Sequence, residues 1–504
     1  MSPLAKFRLS FEPPLPPLLR NLKDLISVED VELPVQSNIL SQFDLLKRKK
    51  IVFKKGSFSC PPLKVGVVLS GGQASGGHNV IVGLYRALKL LNPKSTLIGF
   101  LNGPGGIVDN KARPLDEAYV NSFLNQGGFD MIGSGRTKIE TDEQFEKAFK
   151  SLEGFDGLVV IGGDDSNTNA ALLAQYFLKR NKPITIVGVP KTIDGDLANE
   201  YIETSFGFDT AVKVYSESIG NIQKDALSAK KYWYFIKLMG RSASHITLEC
   251  AYQTHPNLTL ISEERRSLDS IVNEMVDLIE KRAKAGKNYG TILIPEGIIE
   301  FIPEIESLIK ALNRTQDPNE LPADLKTFFF SLPDSIQKQL SMDRDPHGNV
   351  EVSKIDTERF FIELVKAKCK TPFTPQPIFL GYEGRSAFPS NFDAKYTYAL
   401  GHLAALLVAH KATGTLASIS HLKDSVEKWE IAGIPLISMM DMEERKGKMK
   451  PVIAKKLVDL NGKLYKHFKA EEKKWDNDEY VSPGPIQFSG PAEITEATTF
   501  TLGY

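Results

Sequence analysis

The sequence predicts an α/β fold: two facing Rossmann-like α/β domains with mostly parallel sheets, plus a helical insertion and an N-terminal arm. Three observations predict it. From Lys64 onward, short runs of apolar, largely β-branched residues recur, each with the pattern of a strand buried on both faces. Stretches with a helical period separate most of these runs, and strand alternating with helix marks a parallel sheet flanked by helices. The runs are too many for one compact sheet, and 504 residues suggest roughly two or three domains.

Residues 1–60 read as an N-terminal arm, because Pro13, Pro14, Pro16 and Pro17 remove backbone donors and forbid regular helix or central strand there. The basic LLKRKKIVFKKG that follows reads as a solvated face. Strands are then expected at VGVVLS, TLIGFL, GLVVIGG, ITIVGVP, YWYFIKLMG, LTLIS, YGTILIPEG and PIFLGYEG. LDSIVNEMVDLIEKRAKAGK has the helical period in Ile271, Met275 and Leu278, and YALGHLAALLVAHKAT has it in Leu400, Leu403 and Leu407. These divide the body into domains at 61–228 and 229–450. Near 300–371 the strand rhythm lapses into a helical insertion that fits a cap, an interface or filler. Residues 451–504, charged and irregular, are expected to pack back on the body.

Composition excludes several classes. Lys+Arg and Asp+Glu are both 62, so no charge excess argues for nucleic acid. Three widely spaced cysteines, Cys60, Cys250 and Cys369, make no full disulfide framework and fit a reducing cytosol, and no CxxC pair suggests structural zinc. The N-terminus lacks a signal-peptide core and no run of about 18 apolar residues occurs, so a soluble, cytoplasmic chain with no membrane contact is expected. GxSxG and the HRD and DFG pair of protein kinases are missing. His78, His245 and His402 lack metal-ligand spacing and read as core or cap histidines.

The chemistry gathers where strands break into glycine and acid, the rim on which open parallel sheets bind ligands. VGVVLSGGQASGGHN runs from a strand through Gly71 and Gly72 into a helix, a candidate phosphate cradle or a plain glycine turn. NGPGGIVDN adds a second glycine loop. GGDDSNTNA places Asp164 and Asp165 directly after a strand, with Ser166, Asn167 and Thr168 as caps for a helix beginning near Asn169. Two adjacent carboxylates repel unless a cation or donors offset them, and magnesium held by one of them beside phosphate oxygens would do so. PKTIDGD sets Lys191, Thr192, Asp194 and Asp196 on one loop: a lysine for phosphate and a carboxylate that can take a hydroxyl proton. An ordinary turn at Asp194-Gly195 also fits that segment alone. Arg241, Glu296 and Arg385 each end a further strand and suggest a half-site for a sugar phosphate.

Taken together, VGVVLSGGQASGGHN, GSGR, GGDDSNTNA, PKTIDGD, SFGFDTA, MGRSASH, PEG and YEGR, in order from Lys64 to about Ala405, resemble the phosphofructokinases and specifically their long, pyrophosphate-dependent members. The resemblance implies reversible, magnesium-dependent transfer of phosphate from pyrophosphate to the 1-hydroxyl of fructose 6-phosphate. It implies pyrophosphate and Mg2+ on domain 61–228 and the sugar phosphate on 229–450. By analogy Asp194 is the base, Asp196 helps organise it, and Asp164 is the magnesium acid. Gly71 and Gly72 match the phosphate loop, while Arg136 and Lys191 match groups near the transferred phosphoryl. Thr192, Asp194, Met239, Gly240, Arg241, Glu296, Tyr382 and Arg385 match sugar-phosphate contacts. A homodimer with shared sites is implied.

The donor is a separate question. Where members that use ATP carry glycine, this chain has Asp165 and Lys191. Asp165 sets bulk and negative charge where the α-phosphate of ATP would lie, and Lys191 offers a cation to the shorter donor. An ATP-dependent enzyme and a non-catalytic regulatory subunit are the alternatives. The first is opposed by these two residues, the second by the retention of Asp164, Asp194 and Asp196. Two positions depart from the ATP-using pattern: Tyr382 replaces histidine, and Gln376 lies where a neighbouring subunit would give arginine, for which Lys230 or Lys231 could substitute.

Overall fold

The computed structural model describes the chain except residues 183, 316, 343–349, 351–353, 446–447, 476–477 and 504. It divides into two units, the first made of residues 1–211, 384–456 and 486–503, the second of 212–383 and 457–485. The chain therefore returns to the first unit at Gly384, where a continuous second domain to residue 450 was expected.

Among the described residues the first unit holds a ten-stranded sheet. Its parallel centre runs, side by side, Thr415–Ser420, Thr185–Thr192, Gly157–Gly162, Lys64–Leu69 and Thr96–Phe100. In chain order this is 2-1-3-4-5, a doubly wound order that reverses between Lys64–Leu69 and Gly157–Gly162. Antiparallel strands close the edges: Ala112–Leu115 on one side, Glu430–Pro435, Lys49–Lys55 and Leu25–Glu32 on the other. The segment expected as an arm thus supplies the edge strand Leu25–Glu32 and the strand beside it, which the basic run forms with Ile51 and Phe53 buried and the lysines at Lys54 and Lys55 exposed. Of the proline-rich stretch before them, residues 11–16 carry no regular structure, as backbone lacking donors favours, and a 3-10 turn begins only at Pro17–Arg20.

Helix Asn391–Ala409 lies inside this unit and is buried on every side, beyond the single apolar face read from Leu400, Leu403 and Leu407. It crosses helix Gly77–Leu91 by backbone contact. A Cβ on Gly83 would stand 2.3 Å from the Tyr398 carbonyl, and one on Gly401 2.2 Å from that of Val80. The N-terminal helix Pro3–Leu9 is pinned by Arg8, whose buried guanidinium sits over Phe488 and Phe388 and donates to the carbonyls of Asn125 and Pro389.

Among the described residues the second unit is built on a four-stranded parallel sheet in the order Leu258–Thr259, Gly290–Pro295, Tyr232–Leu238, Thr374–Leu380. Helix Leu268–Lys284 buries Ile271, Met275 and Ile279, with Leu278 half-buried at the border of that face. Of the helical insertion, the described parts are helices Pro303–Thr315, Ala323–Ser331, Asp334–Met342 and Thr357–Lys368. Leu308, Leu312, Phe329, Ile336, Leu340, Phe360 and Phe361 place them in the core of this unit. The C-terminal residues split: helix Lys463–Glu472 packs here, Phe468 and Trp475 lying around Tyr252, whereas Phe488 meets Phe11 in the first unit.

Candidate active site

In the first unit, three glycine segments meet at the strand ends on the reversal of the sheet. The Ser70 N–H donates to the Ile161 carbonyl at 2.8 Å, which holds the two central strands together past their ends. Gly71, at φ 87°, then donates to the Gly135 carbonyl at 2.9 Å. A Cβ on Gly103 would fall 2.3 Å from the Gly135 nitrogen, so the loop NGPGG and the motif GSGR touch backbone to backbone. This packing sets Arg136 beside the first loop: a Cβ on Gly72 would be 3.7 Å from its Nη2 and 3.3 Å from Nη1 of Arg385. Two guanidinium groups thus flank Gly72, with the backbone free of side-chain bulk for an anion to approach. Arg385, expected among sugar-phosphate contacts, belongs to this cluster.

The expected helix start near Asn169 is corrected. Helix Asp164–Lys179 begins at the acids themselves, with Gly163 as its cap residue. Negative charge in the first turn is favoured by the helix dipole, so both acids stabilise the end they stand on. The supposed caps do other work: Asn167 donates to the Gly162 carbonyl at 2.6 Å, Thr168 to Asp164 at 2.9 Å, and Ser166 to the Ser70 hydroxyl at 2.8 Å across the two strand ends. Asp165 pairs with Lys138 at 3.0 Å.

Lys191 and Thr192 end strand Thr185–Thr192, and the chain turns through Gly195 at φ 72°. The Asp194 N–H donates to Thr192 Oγ1 at 3.1 Å. Lys191 is buried, and its Nζ donates to the Gly72 carbonyl at 2.8 Å. Burial pushes its pKa down to about 8, while Asp194, Asp164 and Asp196 hold it up and Arg136 opposes them. Asp196 is also buried; desolvation, then Asp194, push it up to about 7, and Lys455 pulls it back. The Lys455 ammonium stands 3.7 Å from Asp164 and 4.0 Å from Asp196. The structure therefore gathers Gly71, Gly72, Arg136, Asp164, Asp165, Lys191, Thr192, Asp194, Asp196 and Arg385 into one unit. Lys138 and Lys455 escaped the sequence reading. Lys138 sits just beyond GSGR, but nothing in the charged segment around Lys455 distinguished it from solvated lysines.

In the second unit, the strand ends bring together Met239, Gly240, Arg241, Glu296 and Tyr382. The Met239 N–H donates to the Leu380 carbonyl at 3.0 Å, and that of Gly240 to Glu296 Oε2 at 3.1 Å. Gly240 has φ 131°, and a Cβ on Gly297 would stand 2.0 Å from the Arg241 carbonyl, so MGR and PEG lock by glycine contact. Glu296 is buried, whereas Arg241 and Tyr382 are exposed. His78 and His402 are buried core histidines, each pushed down to about 4 by desolvation.

Among the described residues no group of three or more His, Cys, Asp or Glu could hold a metal, and no helix is long and apolar enough to cross a membrane.

Residues 64–407, more than half of the chain, match the phosphofructokinase family. The chain belongs to that family. As a phosphofructokinase it is 50% identical over 476 residues to the pyrophosphate–fructose 6-phosphate 1-phosphotransferase of Porphyromonas gingivalis, covering 88% of this chain and 87% of that one. It is 46% identical over 539 aligned residues to the protein of the same name from Entamoeba histolytica, covering 100% and 99%. The phosphotransferase subunit beta 1 of Arabidopsis thaliana is 50% identical over 470 residues, covering 88% and 83%. In fold it is similar to a solved pyrophosphate-dependent phosphofructokinase from Nitrosospira multiformis, at TM-score 0.59 and 16% identity over 87% of this chain and 96% of the other.

Proposed function

We propose that this phosphofructokinase catalyses reversible phosphoryl transfer from pyrophosphate to the 1-hydroxyl of fructose 6-phosphate, giving fructose 1,6-bisphosphate and phosphate. One observation carries the donor assignment: the buried Lys191 ammonium lies on the Gly71-Gly72 loop, against the Gly72 carbonyl. It is a cation fixed where a phosphate would meet backbone glycine. Asp194, on the same turn, accepts the proton of the sugar hydroxyl as its oxygen attacks phosphorus, and Asp196 beside it organises the turn. Arg136 and Arg385 neutralise the phosphoryl group in transit. Asp165, held by Lys138, puts a carboxylate at the first turn of the helix where a longer donor would continue. Met239, Gly240, Arg241, Glu296 and Tyr382 are assigned to the sugar phosphate.

Magnesium fits as an ion that arrives with its substrate. It keeps most of its waters and takes one or two carboxylates plus phosphate oxygens, and Asp164 at the helix start offers one such carboxylate. When bound, it offsets charge on the phosphates. The assembly proposed is a cytoplasmic homodimer with shared sites, in which the exposed Lys230 and Lys231 would be available to a neighbouring subunit.

The test is the chain alone, without nucleotide: fructose 1,6-bisphosphate and phosphate should yield pyrophosphate, and the forward mixture should yield the bisphosphate. Silence in both directions, relieved by a second polypeptide, would establish the regulatory-subunit reading instead. Asp194→Ser should lower turnover by roughly 10²-fold or more with little change in sugar binding, as for a general base; near-normal turnover excludes Asp194 as the base.

A further inference from the structure

The antiparallel hairpin Met440–Arg445 and Lys448–Ile453 leads out of the strands directly onto the candidate centre. Two backbone bonds fix its exit. The Ile453 N–H donates to Thr168 Oγ1 at 3.0 Å, on the helix that begins at Asp164, and the Lys456 N–H donates to the Asp196 carbonyl at 2.8 Å. Lys455 stands between these anchors, so its backbone is set by both acid-bearing segments. Its side chain remains 36% exposed while its Nζ lies 3.7 Å from Asp164 Oδ2 and 4.0 Å from Asp196 Oδ2.

Those distances matter. At these distances the ammonium attracts both acids, and with its side chain partly exposed it can also be met by an anion from solvent. Three carboxylates, Asp164, Asp194 and Asp196, stand where a highly charged anion must bind, and each repels it. Lys191 offsets part of that field from its buried position against Gly72. Arg136 and Arg385 beside Gly72 offset more of it; Lys455 differs in sitting on two of the three acids themselves while reaching solvent, and a compact ammonium on a flexible stem can pass from a carboxylate to a phosphate oxygen as the anion arrives.

We propose that Lys455 is a donor-site residue: its ammonium lies against Asp164 and Asp196 and binds a phosphate oxygen of pyrophosphate when the donor enters. The hairpin is then the element that delivers this cation. The proposal rests on the phosphoryl-transfer reading and adds a residue to it.

The probe is sodium pyrophosphate, titrated calorimetrically into the full chain with and without magnesium. Lys455→Met should weaken pyrophosphate binding on the order of tenfold or more in both conditions. Fructose 6-phosphate binding and the melting temperature should stay as in the unaltered chain, and Lys455→Arg should retain most of the affinity. In steady state the methionine variant should show a raised KM for pyrophosphate with a smaller effect on kcat. Pyrophosphate binding that is unchanged in Lys455→Met overturns the proposal alone, as does a loss in Lys455→Arg equal to that in Lys455→Met, which would make shape rather than charge decisive. If the methionine variant fails to fold, Lys455→Gln against Lys455→Arg makes the same comparison. An unaltered chain that binds ATP and not pyrophosphate overturns the functional reading itself.

Discussion

Under the proposed function Lys191 answers two opposed demands, a cation for phosphate and a buried place at the end of a sheet strand. Burial takes its pKa from an ordinary 10.5 to about 8, leaving the charged form dominant at neutral pH. The kcat/KM for pyrophosphate should therefore fall as pH rises through about 8, and Lys191→Met should lack that limb along with most activity. The sign for stability is opposite. Between about 8 and 10.5 the unfolded chain holds this proton and the folded chain does not, so the contribution of Lys191 to stability rises with pH across that window. Thermal melts at pH 7 should show Lys191→Met more stable than the unaltered chain, a stability gained at the expense of function. Asp165 is paired with Lys138 on a half-exposed surface, a contact worth no more than about 1 kcal/mol, so the donor selectivity proposed for it would come from its place in the first turn of the helix. Asp165→Gly combined with Lys191→Gly should abolish pyrophosphate activity; unchanged kinetics would exclude both assigned roles. These residues were legible because each sits in a short motif where a buried run stops. Lys455 was not, because it reaches the centre by tertiary contact from a segment whose local pattern is that of any charged surface.

Among elements, helix Asn391–Ala409 shows why periodicity reads existence better than environment. Its leucines mark a helix, but its burial on all faces follows from the sheet beside it and from the crossing with Gly77–Leu91. Gly83 and Gly401 permit that crossing, since each presents backbone to the other helix. Gly83→Ala should destabilise the protein by about 2 kcal/mol or more, read as a lower denaturation midpoint, because the added Cβ meets a carbonyl that cannot move without shifting a buried helix. The helix at Asp164 was read too late in the chain for a related reason: Ser, Asn and Thr are good caps, but here glycine begins the helix and the two acids meet its dipole. The strands Leu25–Glu32 and Lys49–Lys55 were hidden by flanking prolines and lysines, residues that edge strands tolerate.

For the whole molecule, the alternation of strand and helix announced an α/β fold, but not how the chain interleaves. Pattern is local, whereas the return at Gly384 is a matter of which sheet the later strands join. Strands Thr415–Ser420 and Glu430–Pro435 complete the first sheet, and the helix before them fills its core. A fragment ending at residue 383 should consequently lack the cooperative unfolding and near-ultraviolet circular dichroism of the full chain. The proposed function turns on the phosphoryl donor, assigned to Asp165 at a helix start and to Lys191 against a glycine loop. The most direct measurement is the initial rate of fructose 1,6-bisphosphate formation by the purified chain with magnesium and either pyrophosphate or ATP, side by side. Rapid formation with pyrophosphate and little or none with ATP is the predicted result; formation with ATP and none with pyrophosphate would contradict it.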